Sequence, residues 1–184
     1  MTRIRMLGSV LLLAATAALM SAPDAVAASR KELDRDATNA FQTLCAKNPA
    51  ARRLAGKARG VLVFPNIVKA GFLFGGQIGE GVLLKGGKPA AYYNSVAASY
   101  GLQAGVQVFR YALFFMNDGA LRYLDSSGGF ELGVGPSIVV VDEGLGKSIT
   151  STTVTQDVYA FIFSQKGLMA GIGLQGSKIT RISK

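Results

Sequence analysis

From Ser29 onward the apolar residues follow two periods in succession. Leu33, Ala37, Ala40, Phe41, Leu44 and Cys45 recur at helical spacing and define one face. Ser29-Arg30-Lys31-Glu32 ahead of them reads as a capping box, in which the serine hydroxyl accepts from an early amide and the glutamate reaches back. Asn48-Pro49 ends this helix and starts a second over Pro49 to Ala55, because asparagine caps well and proline suits a first turn. Gly56 stops it.

From Gly60 the period changes to that of strands. VLVF (61–64), IVVV (138–141) and YAFIF (159–163) are continuous apolar runs, the pattern of strands covered on both faces. Three other stretches alternate instead. In 101–109 the even positions are Leu102, Ala104, Val106 and Val108, opposite Gly101, Gln103, Gly105 and Gln107; 71–79 and 167–176 repeat the arrangement. Strand side chains alternate between faces, so each stretch carries glycine and glutamine on one face and aliphatics on the other. A face without side chains lets a sheet coil sharply or lets another backbone approach. The expected fold is α+β, a strongly bent, partly closed antiparallel sheet with N-terminal helices packed on it. Turns are expected at Lys85–Lys88, Ser126–Gly129 and Ser164–Gly167, and a further short helix over Asn117–Leu124 with Ala120, Leu121 and Leu124 inward.

The same glycine spacing on a helix would be a membrane dimerisation face, but Gln77, Glu80, Gln103, Gln107 and Gln175 interrupt every run well short of a span. A transmembrane β-barrel shares the alternation. Against it stand the doubly apolar runs, the absence of tryptophan, 9% aromatics and the helical N-terminal quarter.

Residues 1–27 stand apart. Arg3 and Arg5 precede an apolar stretch from Met6 to Met20, and Ala25-Val26-Ala27 offers a small-x-small cleavage site. The apolar core is shorter than the roughly 20 residues of a spanning helix. A cleaved signal peptide is therefore expected, with the product periplasmic or secreted. No cysteine follows the apolar stretch, so attachment as a lipoprotein is not expected and any membrane contact would be peripheral. The rest divides into a basic helical segment, 28–59, and a glycine-rich β core, 60–184, forming one domain.

The chain has 184 residues, with 20 Lys and Arg against 11 Asp and Glu. Loss of the leader removes Arg3, Arg5 and Asp24, which leaves a net charge of +8. Eight cations fall between Arg30 and Arg59, facing three acids, Glu32, Asp34 and Asp36. Arg30, Lys31, Arg35, Arg52, Arg53, Lys57 and Arg59 are the candidate binding residues. They form either a solvating face or an anion-binding surface, and the sequence alone leaves both open. For an exported chain the polyanion in reach is lipid headgroup or lipopolysaccharide, not nucleic acid.

Little supports catalysis. Histidine is absent, which removes the commonest general base and metal ligand. Asp142-Glu143 precedes a glycine and reads as a solvated turn. The GKS of 146–148 lacks the first glycine of a phosphate loop, and no glycine run has the context of a dinucleotide site. No catalytic residue, metal or cofactor is expected. Cys45, the single cysteine, reads as a small buried hydrophobe.

GVLVFPNIVKAGFLFGGQIGEGVLL (60–84), YYNSVAASYGLQAGVQ (92–107), YALFFMND (111–118), FELGVGPSIVVVDEG (130–144) and VYAFIFSQKGLMAGIGLQGSKITRI (158–182) together resemble the SYLF domain. The resemblance implies lipid binding. Eukaryotic members of that family recognise phosphoinositides through an N-terminal amphipathic helix and a basic patch, fungal members also bind and bundle actin, and bacterial members are exported or lipid-anchored. The helix of 29–45 and the seven cations occupy the corresponding region. Actin and cytosolic phosphoinositide lie out of reach of an exported protein, so the implied partner is anionic phospholipid. An envelope protein partner and a small apolar ligand carried by the sheet are the alternatives.

Overall fold

The computed structural model describes residues 29–71, 74–100, 105–126, 129–131, 135–141, 154–167 and 176–184. The leader of 1–27, the Asp142-Glu143 turn, the GKS stretch and the apolar alternations at 101–104 and 168–175 lie outside the described residues.

Two helices open the fold, α1 (Arg30–Lys47) and α2 (Pro49–Ala55). The Ser29 hydroxyl accepts from the Glu32 amide, and the Glu32 carboxylate accepts from the Ser29 amide at 3.0 Å. Those two bonds, the backbone one second, hold the Glu32 carboxyl below its ordinary pKa. Asn48 caps α2 by accepting from the Ala51 amide at 3.0 Å. Four long strands follow, β1 (Gly60–Gly71), β2 (Phe74–Lys85), β3 (Lys88–Tyr100) and β4 (Gly105–Phe115). After them come α3 (Asp118–Tyr123), β5 (Phe130–Glu131), β6 (Ile138–Val140), β7 (Val158–Gly167) and β8 (Lys178–Ile182).

The strands form one strongly curled sheet, a half-barrel, in the order β5-β8-β3-β2-β1-β4-β7-β6. Every pairing is antiparallel except β6 with β7. Gly86 and Gly87, at φ of 57° and 77°, make the two-residue β2–β3 turn whose twist suits a hairpin.

Two apolar layers divide the sheet. The outer face carries α1 and α2, with Leu33, Ala37, Ala40, Leu44 and Leu54 packed on Val61, Val63, Val82, Leu84, Phe114 and Phe161. The inner face buries Leu62, Phe64, Tyr93, Tyr111, Leu113 and Phe115 beneath the curl, and Ala120 of α3 and Leu124, its C-cap, join that layer. Covering on both faces explains the continuous apolar runs of β1 and β4 at this end.

An extra residue on β1 at Pro65-Asn66 shifts its register against β4, from Phe64 opposite Tyr111 to Ile67 opposite Phe109. Glycine makes room for that bulge. A Cβ on Gly79 would collide with the Asn66 carbonyl oxygen, and one on Gly81 would lie 2.7 Å from the Phe64 ring. The glycine face of 71–79 therefore turns into the curl, where backbone and ring come close. Gln77 and Gln107 share it and are buried, and the Gln77 amide donates to the Ser177 hydroxyl at 2.7 Å.

Some expectations need correction. Ser164–Gly167 is not a turn: β7 runs through it, and Ser164, at φ 54°, sits in a bulge where three steps on β7 answer two on β4. Ser126–Gly129 is a turn as expected, its Gly129 amide donating to the Ser126 carbonyl at 2.9 Å, but it joins α3 to β5 and not two strands. IVVV is covered less fully than expected: Ile138 packs on the inner layer and Val139 and Val141 on the outer one, but on this edge strand Val140 is left exposed. Cys45 is half-buried, and burial raises its thiol pKa.

Asp157 ties the β7 start to two neighbours. Its carboxylate accepts from the Ser137 amide and hydroxyl, both at 2.9 Å, and from the Asn117 side chain at 2.7 Å. These bonds, the Ser137 amide foremost, hold its carboxyl below the usual value. A depressed folded pKa stabilises above the usual carboxylate range, near pH 4, and that contribution is lost as pH falls through the folded value. Asp157→Ala should cost about 1–2 kcal/mol at neutral pH by urea unfolding, the partners being exposed, and the difference should narrow in acid.

Candidate functional site

The outer face carries the cations, and α1 sets where they stand. Its N-terminal turn is fixed over β3: the Arg30 Nε donates to the Tyr92 hydroxyl at 2.9 Å, and that hydroxyl donates to Asp34 Oδ1 at 2.9 Å. The Arg30 guanidinium lies 5.4 Å from the Tyr92 ring centroid, a cation–π contact. Further along, Phe41 meets Phe114 of β4 at 6.2 Å. Thus α1 crosses the strands, with its apolar stripe on the sheet and its polar side outward.

All seven cations singled out from the sequence are exposed. Arg30, Lys31 and Arg35 rise from α1, Arg52 and Arg53 from the last turn of α2, and Lys57 and Arg59 from the link to β1. Cations at a helix C-terminus also suit its dipole. Arg35 pairs with Asp36 at 3.0 Å and Arg59 with Asp118 at 3.8 Å. Both pairs are more than half exposed, so water screens them and neither neutralises its cation firmly. All seven are thus exposed on the helical layer, Arg30 on its β3 side, and the apolar face of α1 is already occupied by the sheet.

The same outer face holds a feature that the sequence pattern does not show. A groove of about 540 Å³ opens between α1 and the sheet, lined by Asp36, Asn39, Thr43 and Lys47 on the helix side. Pro65, Asn66, Val108, Arg110, Ser164 and Lys166 line the sheet side. Arg110 is held there by its Nε, which donates to the Pro65 carbonyl at the β1 bulge at 3.0 Å. Three cations, Lys47, Arg110 and Lys166, face one carboxylate, Asp36. Arg110 was legible in part, since its parity puts it on the same face as Val106 and Val108. The bulges that bring Asn66 and Lys166 to it had no sequence signal.

Hydroxyl, amide and guanidinium groups with a net positive balance suit an anion. Among the described residues no group of three or more Cys, Asp or Glu side chains is placed to hold a metal ion. Burial holds the Cys45 thiol toward its protonated form, away from the thiolate a nucleophile needs. No described helix is long and apolar enough to cross a membrane.

A curled sheet with a basic helical layer across its outer face, and an anion-suited groove beneath the helix, is the frame of a binding module. The comparisons agree with that class. Residues 96–184 match the Ysc84 family, described as "Las17-binding protein actin regulator". Protein YSC84 of Saccharomyces cerevisiae is 31% identical over 131 residues, which cover 67% of this chain and 28% of the yeast protein. The chain belongs to the Ysc84/SYLF family. It spans little more than a quarter of that yeast relative's length.

Proposed function

We propose that this chain is a non-enzymatic module that binds anionic phospholipid at an envelope membrane, exported and held there peripherally. The observation that carries the reading is the helical layer of the outer face, where Arg30, Lys31, Arg35, Arg52, Arg53, Lys57 and Arg59 are all exposed, together with the groove between α1 and the sheet that Lys47, Arg110 and Lys166 line. Each cation close to an anionic surface contributes about 1 kcal/mol, so a cluster of this size suffices for reversible attachment. Because α1 has its apolar stripe against the sheet, the segment would meet headgroups through charge while remaining docked.

The family description favours a second reading, a module for a protein partner, since the words attached to the family name Las17 and actin. The two part in one experiment. Mature protein should sediment with vesicles of phosphatidylglycerol in phosphatidylcholine at low salt and not with pure phosphatidylcholine. Failure to sediment with either, together with stoichiometric recovery of one envelope protein in a pull-down, would favour the second reading.

A further inference from the structure

We propose that the uncovered end of the outer face, a row of exposed aliphatic side chains bracketed by two lysines, seats itself in the headgroup–acyl boundary of an anionic bilayer. The proposal rests on the lipid reading above and gives it an apolar surface that the N-terminal cations lack.

The row is read directly from the register. Lys178 of β8 lies opposite Val96 of β3, Val96 opposite Ile78 of β2, and Ile78 opposite Val68 of β1. Val68 in turn lies opposite Val108 of β4, and Val108 opposite Lys166 of β7. Directly paired residues share a face. One line therefore crosses six strands as Lys178–Val96–Ile78–Val68–Val108–Lys166. A second line, Ala98–Gly76–Ala70–Val106, runs beside it toward the strand ends. Phe74, two residues beyond Gly76, continues the same parity at the tip of β2.

This face is open to solvent. Phe74 is 74% exposed, Ile78 60%, Val106 57% and Val96 45%. The residues of opposite parity point into the curl, where Lys69, Gln77 and Gln107 are buried. Toward its proximal end the sheet is apolar on both faces; here the polar side chains are inside and the aliphatics outside. An apolar row of this length on a water-facing surface calls for an occupant.

Charge complementarity selects the occupant. The cationic balance lies at the β7 end, where the groove with Lys47 and Arg110 adjoins the row at Val108 and Lys166, while at the other end Lys178 has Glu131 of β5 opposite it. Aliphatics in the middle with lysines at the margins match a surface whose interior is hydrocarbon and whose boundary is anionic, the lysine stems lying along the apolar surface and their ammonium groups at the phosphates.

The chain contains no tryptophan, so one introduced at Ile78 is a unique reporter. In Ile78→Trp, emission should shift blue and be quenched by acyl-chain-brominated lipid in phosphatidylglycerol-containing vesicles. Val140→Trp, on exposed β6 away from the row, should not respond. The triple variant Val68→Thr, Ile78→Thr, Val106→Thr keeps the branched side chains that strands favour and should melt near the wild type. It should partition about tenfold more weakly. If the wild type binds vesicles while the indole of Ile78→Trp stays unquenched and the triple variant binds equally well, the row is not the seat and the lipid reading survives. If the wild type binds no vesicle, both fall. If the wild type is a dimer that the triple variant converts to monomer, the occupant is a second copy and the proposal is overturned.

Discussion

Phe114→Ala should lower stability by about 3–5 kcal/mol, the largest single-residue effect expected of the described core. Phe114 is fully buried and lies between the layers that define the outer face. Its ring meets Phe41 of α1 at 6.2 Å and Phe161 of β7 edge-on at 5.1 Å. Truncation removes both ring contacts and leaves a cavity that α1, anchored at its far end by Arg30 and Asp34 on Tyr92, cannot easily close. The urea midpoint should fall with little change in m-value, because the unfolded chain exposes nearly the same area. A loss below about 1 kcal/mol would mean that α1 is not docked on the sheet as described.

Reversing Arg52, Arg53, Lys57 and Arg59 to glutamate should weaken attachment to phosphatidylglycerol vesicles by on the order of a hundredfold. All four are exposed, and because glutamates in the last turn of α2 oppose its dipole, a modest fall in melting temperature is expected and binding is compared where both chains are folded. Vesicle binding equal to the wild type under those conditions would remove the N-terminal segment from the binding surface and leave the groove and the apolar row to account for it.

The parts of the fold that local chemistry decides were readable. Ser29 and Glu32 announced α1, Asn48-Pro49 announced α2, and Gly86-Gly87 announced the β2–β3 turn, each through a bond or dihedral set within four residues. The alternation in 71–79 and 105–108 likewise fixed which residues share a face. It could not say which face turns inward. That depends on the β1 bulge at Pro65-Asn66, which inverts the parity of β1, so that Leu62 and Phe64 and then Ile67 and Lys69 face inward, and sets Asn66 and Ile67 over Gly79. IVVV looked covered along its whole length because hydrophobicity does not record which single position, here Val140, is left exposed. Ser164 looked like a turn because the same residue types serve in bulges.

The candidate site divides in the same way. Charge density along 30–59 is a one-dimensional property, and the helical period put those cations on the solvent side. The groove joins α1 to three strands, β1, β4 and β7, and the lysine-bracketed row joins six, so each exists only once its strands are in register.

The central claim is that a basic outer face binds anionic membrane reversibly, and a salt titration of vesicle partitioning tests it most directly. Partitioning of the mature chain onto phosphatidylglycerol-containing vesicles should fall steeply as ionic strength rises and the screening length shrinks from about 10 Å at 0.1 M toward about 3 Å at 1 M. Binding that is absent at low salt, or that does not change across the titration, would contradict it.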